Sequence, residues 1–200
     1  VPTPCLYQQY DEVVLKKQIR SRQAFTRFVA KLPACKIGME ACGSAHHWGR
    51  TFVEFGHQVK LLHPKYVKAF VDRNKHDAAD AKGCYRALCQ PDVHEVPIKS
   101  VDQQAILMLE KNRSRLMKQR TQLSNQIRGF LYELGIVVRQ GHASLKREMP
   151  RILEDAGNSL PVLARELISD QMTEYRALSE RIDAYTAKIE QIAKEDEACK

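Results

Sequence analysis

Lys36-Ile37-Gly38-Met39-Glu40, bounded by the turn-forming pair Gly43-Ser44, decides how the first half of this sequence folds. A short run closed in this way reads as a strand. Outward on the amino-terminal side, Phe25, Phe28, Val29 and Leu32 share one side of a helix over residues 21–31, and residues 12–19 read as an earlier strand. Residues 5–10 read as one more edge strand. On the carboxyl-terminal side a helix over 45–55 closes at Gly56, with Ser44 expected as its N-cap. Val59–Leu62 reads as a third strand ended by Pro64, followed by helices over 65–72 and 77–89. Strand and helix alternate throughout, which is the pattern of an α/β sheet domain.

The character changes near Pro97. From Val101 to Leu134 nothing but Gly129 interrupts a helix, and Ala105, Leu109, Leu116, Leu123, Ile127 and Leu131 recur along it. Gly135, Gly141 and Pro150 mark a loop, after which a second long helix is expected over 161–196. There Tyr175, Leu178, Ile182, Tyr185, Ile189 and Ile192 alternate in steps of three and four, a heptad seam. The seam fits an antiparallel hairpin with the 101–134 helix and equally a coiled coil between two copies. The expected organisation is a sheet domain over 1–97 and a helical, coiled-coil region over 98–200.

Composition narrows the function. The 200 residues are 44% hydrophobic and 28% charged, as in a folded, helix-leaning protein. No apolar run approaches a membrane span, and no secretory signal opens the chain, so a cytoplasmic location is expected. It begins at Val1 rather than Met, as expected of a fragment or processed chain. Of the formal charge of +8, residues 1–100 contribute +7, residues 101–150 contribute +5 and residues 151–200 contribute −4. The first three quarters therefore suit a polyanion, since basic side chains that neutralise phosphates release condensed counterions. The six cysteines contain no C-x-x-C pair, and Cys35, Cys42, His46 and His47 do not have zinc-site spacing. They read as reduced core thiols.

Three carboxylates stand out. Glu40 ends an apolar strand, where a buried charge is costly unless a cation meets it, and sheet ligands collect at such strand ends. Asp77 and Asp80 lie three apart in Asn74-Lys-His-Asp-Ala-Ala-Asp-Ala81, so a helix stacks them on one face. They repel each other unless they share a divalent ion. Hard oxygen donors of this kind suit Mg²⁺ or Mn²⁺, which can activate the attacking and stabilise the leaving oxygen of a phosphodiester. Equally, Asp77 reads as a helix cap and Asp80 as a solvated acid. His46, His47 and Trp48 either border Glu40 or pack and cap the helix that follows. His76-Asp77 lacks the companion clusters of a metal phosphohydrolase, and no nucleophile elbow supports Ser-His-Asp chemistry.

Three blocks run in order along the first half: Ile37-Gly-Met-Glu-Ala-Cys-Gly-Ser-Ala-His-His-Trp48, Val59-Lys-Leu-Leu-His-Pro-Lys-Tyr-Val-Lys68 and Asn74-Lys-His-Asp-Ala-Ala-Asp-Ala81. Val96-Pro-Ile-Lys-Ser-Val-Asp-Gln-Gln104 and Asn125-Gln-Ile-Arg-Gly-Phe-Leu131 with Gly135-Ile136 follow them. In these blocks the sequence resembles the insertion-sequence transposases of family one hundred and ten, in particular the branch typified by insertion sequence eleven-eleven. The resemblance implies a RuvC-like (RNase H-like) sheet domain whose DEDD tetrad binds metal. Its Glu falls on Glu40 and its two later Asp residues on Asp77 and Asp80. The first Asp finds no match in Val1-Pro2-Thr3-Pro4, so the first strand is expected to be missing, and the nucleophilic serine of the family's carboxyl-terminal domain is not assigned.

The resemblance further implies movement of an element as DNA, with a structured bridge RNA choosing target and donor. Lys60, Lys65, Lys68, Arg73 and Lys75, with Lys111, Arg113, Arg115, Lys118, Arg120 and Arg128, are then contacts to nucleic-acid backbone; otherwise they are a solvated basic face. The expectation is a DNA transposase present as an inactive fragment, with a homo-oligomer formed through the coiled coil and no membrane partner. The alternatives are a nonenzymatic nucleic-acid-binding, dimerising remnant or regulator, and a purely structural coiled-coil protein.

Overall fold

The structure, a computed structural model, describes residues 5–7, 13–17, 19–71 and 77–195; among these, the side chains of residues 5–7, 13–14, 16 and 77–79 are not described. The chain is mixed α/β and mostly helical, in two compact units, Val1–Val101 and Asp102–Lys200.

In the first unit a two-stranded antiparallel sheet pairs β1 (Cys5–Tyr7) with β2 (Val13–Lys16). Residues 8–10 of the expected edge strand lie outside the described residues. Ser21 caps α1 (Arg22–Ala30), its side chain accepting from Ala24 N–H at 3.1 Å. A three-stranded sheet follows in the order β3 (Lys36–Glu40), β4 (Gln58–Leu62), β5 (Glu95–Val96). β3 and β4 run parallel with Lys36 opposite Gln58 and Glu40 opposite Leu62, joined through α2 (Ala45–Glu54). A parallel pair needs such a crossover. β5, which pairs antiparallel with the end of β4, is too short to leave a periodic signal and was not expected from sequence.

Phe25 and Val29 of α1 and Trp48 and Phe52 of α2 bury against Ile37, Met39 and Val59 of the sheet. Phe25 sits edge-on to Trp48 at 5.1 Å and to Phe52 at 5.5 Å, the arrangement that ring quadrupoles favour. His57, 5% exposed, ties this core together. Its Nδ1 accepts from Cys35 N–H at 3.3 Å, and its Nε2 reaches the Val29 carbonyl at 3.2 Å.

Two local expectations are corrected. Ser44 holds the N-cap position of α2 but has φ 65°, in the left-handed region, and its side chain caps nothing. Pro64 does more than stop a strand: it opens α3 (Pro64–Ala69), where its fixed φ and missing N–H cost nothing. α4 (Asp77–Leu88) then packs on α3 and the sheet, with Leu62, Val67 and Ala87 buried between them.

In the second unit α5 (Val101–Glu133) and α7 (Val162–Glu195) are the two long helices, with α6 (His142–Glu154) between them where a loop was expected. The helices form an antiparallel pair. Ser159, just before α7, donates to the Leu134 carbonyl at 2.9 Å, while Arg113 Nε donates to Thr186 Oγ1 at 2.9 Å near the opposite ends. Leu116, Leu123, Ile127 and Leu131 meet Leu145 and Met149 of α6 and Ile168, Met172, Tyr175, Leu178 and Ile182 of α7 in one core. The first half of the expected seam is thus buried within the chain, whereas Ile189 and Ile192 are half-buried.

Candidate functional site

Glu40 is the last residue of β3. Ala41 N–H extends the ladder to Leu62 O at 2.8 Å, and Cys42 N–H then folds back on Glu40 O at 2.8 Å, so the chain turns away directly after the carboxylate. α4 lies along β3 at close range. A β-carbon on Gly38 would meet Leu88 Cδ2 at 3.1 Å, so a residue without a side chain is what admits the helix there. From Leu88, one turn toward the amino end of α4 reaches Cys84, which receives a backbone hydrogen bond from Glu40. A further turn reaches Asp80, and Asp77 begins the helix on the same face.

Cys84 records what surrounds it. Its pKa is pushed up to about 11, first by burial and then by the negative charge of Glu40. The backbone hydrogen bond from Glu40 opposes this, and Asp80 and Cys42 add to it. Glu40 and Asp80, on different elements, therefore act on one half-buried thiol. Neither makes an ion pair among the described residues. Two uncompensated hard oxygen donors beside a helix–sheet interface are a donor set that fits a divalent cation. The Asp77 side chain is outside the described residues, and no three described His, Cys, Asp or Glu side chains are grouped to hold a metal ion.

Sequence reasoning had assigned Cys84 only to the core. The signal that pointed to it was its place four residues beyond Asp80, on the Asp77–Asp80 face. His46 fastens a neighbouring segment. Its Nδ1 accepts from Lys99 N–H at 3.2 Å, and Arg50 donates to the Lys99 carbonyl. Together they hold the segment after β5 onto α2, where Gly49 leaves room for Ile98.

The expected backbone-contacting cations divide by environment. Lys60 is ion-paired with Glu95, and Lys65 and Lys68 are exposed on α3. Arg73 and Lys75 lie outside the described residues. On α5, Lys111, Arg115 and Lys118 are exposed at i, i+4 and i+7, a stripe about 10 Å long at 1.5 Å per residue. Arg113 instead bonds Thr186 and Glu110. Arg128 donates to the carbonyls of Ser124, Arg139 and Gly141. Arg120 has its Nε buried without a partner.

The DEDD-type IS110 family model, described as a transposase, matches residues 5–136. A putative transposase (y4pF/y4sB) of Sinorhizobium fredii is 42% identical over 95% of this chain and 48% of its own length. The transposase for insertion sequence element IS1111A of Coxiella burnetii is 33% identical over 98% of this chain and 53% of its own length. The transposase for insertion sequence element IS1328 of Yersinia enterocolitica is 33% identical over 95% and 56%. The chain spans about half the length of the curated relatives it matches. No solved structure matches.

Proposed function

This chain belongs to the IS110 family of DEDD transposases, and from that premise we propose that it is the metal- and nucleic-acid-handling part of an enzyme that moves an insertion sequence as DNA. The observation that carries this is the convergence of Glu40, from the end of a strand, and Asp80, from the neighbouring helix, on one half-buried thiol, with no ion pair to offset them among the described residues. With Asp77 one turn before Asp80, they form three members of a RuvC-like tetrad. Glu40, Asp77 and Asp80 would hold Mg²⁺ or Mn²⁺, which would supply Lewis-acid activation of the attacking oxygen and stabilisation of the leaving one. The carboxylates would orient the ion, and Gly38 admits α4 close beside β3.

The exposed cations Lys65, Lys68, Lys111, Arg115 and Lys118 take the phosphate backbone of cytoplasmic DNA and of a structured guide RNA, with Arg73 and Lys75 completing the first group. Copies associate through the far end of α7, where Tyr185, Ile189 and Ile192 remain half-buried.

Salt-dependent binding of labelled duplex DNA and hairpin RNA tests the reading. Affinity falls steeply between about 50 and 200 mM salt, and replacing Lys111, Arg115 and Lys118 by Gln lowers the log–log slope by up to about 3. Affinity indifferent to salt, or an unchanged slope in the triple variant, contradicts the assignment. A nonenzymatic nucleic-acid-binding protein has the same slope but no dependence of metal binding on the three carboxylates.

A further inference from the structure

The helical unit contains a second polar centre that the carboxylate site does not use. Arg120, Ser124 and Arg128 occupy i, i+4 and i+8 of α5, so they form one row. That row lies about half a turn around the helix from the exposed Lys111–Arg115–Lys118 stripe. Arg128 reaches from it to the Gly141 carbonyl, at the N-cap of α6. His142, the first residue of α6, bonds through Nδ1 to the Tyr175 hydroxyl of α7 at 2.9 Å, the two rings lying 5.9 Å apart. Three helices therefore meet at one point, carrying two guanidinium groups, an imidazole and a phenol.

The centre is short of negative charge. Arg120 makes no hydrogen bond or ion pair among the described residues, and its Nε is buried. A buried guanidinium nitrogen without an acceptor carries its full desolvation cost. Arg128 adds a like charge, its donors directed at backbone carbonyls rather than at a carboxylate. The first turn of α6 has no acidic residue, and no side chain caps its N–H groups. Burial, Arg120 and Arg128 all hold His142 below the ordinary imidazole range, which reports the same excess of positive charge. Arg120 and His142 are half-buried, so the centre opens to solvent.

We propose that Arg120 and His142, with Arg128 as a fixed neighbouring charge, form a phosphate-binding site, and that its occupant is a backbone phosphate of a bound nucleic-acid strand. A guanidinium offers paired donors matched to two phosphate oxygens, His142 has Nε2 free of the Tyr175 bond, and the uncapped amides of α6 face an anion favourably. The phosphate group follows from this donor set. The strand rests on the nucleic-acid reading above.

Anisotropy with labelled DNA and RNA, run on the wild-type chain and on Arg120→Gln, separates the claims. Arg120→Gln weakens binding roughly tenfold, as expected for loss of a charged hydrogen-bonded contact, and lowers the salt slope by about 1 regardless of sequence. Arg120→Lys restores the slope but not the full affinity, because an ammonium lacks the paired fork. In a parallel arm, inorganic phosphate raises the melting temperature of the wild-type chain more than chloride at equal ionic strength, and the difference is lost in Arg120→Gln. If phosphate stabilises the wild type but Arg120→Gln leaves nucleic-acid binding unchanged, the occupant is free phosphate and the strand assignment fails. If neither readout moves, or Arg120→Gln only lowers the melting temperature, the residue is structural and the site is refuted. A wild-type chain that binds no nucleic acid overturns the proposed function instead, and the phosphate arm is then read alone.

Discussion

Cys84 lies where a helix meets a sheet and where two carboxylates bear on one sulfur, so its reactivity reports on the candidate site. With its pKa pushed up to about 11, the thiol is almost wholly protonated at pH 8 and alkylates far more slowly than the exposed Cys42 and Cys89. Glu40→Gln removes the largest negative charge acting on it. The pKa then falls, and iodoacetamide labelling of Cys84 at pH 8–9, followed by mass spectrometry, speeds up. Labelling that is fast in the wild type, or unaltered by Glu40→Gln, contradicts the placement of the carboxylate. At this scale the sequence was legible where chemistry is local. The Asp77–Asp80 spacing and the strand-end position of Glu40 are visible in the chain itself. That Cys84 joins them depends on which element packs beside β3, and no spacing encodes that.

α5 and α7 show how elements supply the stability that single residues report. Ile127 has no exposure and lies in the core shared by α5, α6 and α7. Ile127→Ala removes buried methylenes and leaves a cavity, costing roughly 2–5 kcal/mol in denaturant unfolding. A loss below about 1 kcal/mol contradicts the packing. α6 was misread because Gly141 and Pro150 look like breakers, yet Pro150 stands inside it. Leu145 and Met149, four apart and without exposure, bury a helical face, and that burial outweighs the hydrogen bond that proline removes. The heptad pattern of α7 was readable, but its partner was not, since an intrachain hairpin and a coil between copies demand the same periodicity.

Two imidazoles give both units a dependence on pH. His46 is held below the ordinary range first by burial, then by Lys99 and Arg50; His142 first by burial, then by Arg120 and Arg128. The unfolded chain takes up protons at these positions near pH 6.5, whereas the folded chain resists. The stability they contribute is therefore complete above that pH and declines as the pH falls through the lowered folded values. Melting temperatures drop between pH 7.5 and 5.5, and His142→Gln makes the drop shallower. A melting temperature that rises over this interval contradicts the assignment.

At the scale of the whole molecule, the excess of positive charge sits in residues 1–150, while residues 151–200 carry a net charge of −4. Among the described residues no helix is long and apolar enough to cross a membrane. The alternation of strands and helices up to Pro97 and the long helices after it were readable because hydrophobic period survives in the chain. The short β5 and the separate β1–β2 sheet were not, because pairing choices among brief strands are settled by tertiary contact.

Paramagnetic broadening by Mn²⁺ in amide spectra of the purified chain tests the central claim most directly. The account predicts saturable broadening confined to amides around Glu40, Asp80 and Cys84, abolished in the Glu40→Gln/Asp77→Asn/Asp80→Asn variant. Broadening centred elsewhere, or persisting in that variant, contradicts it.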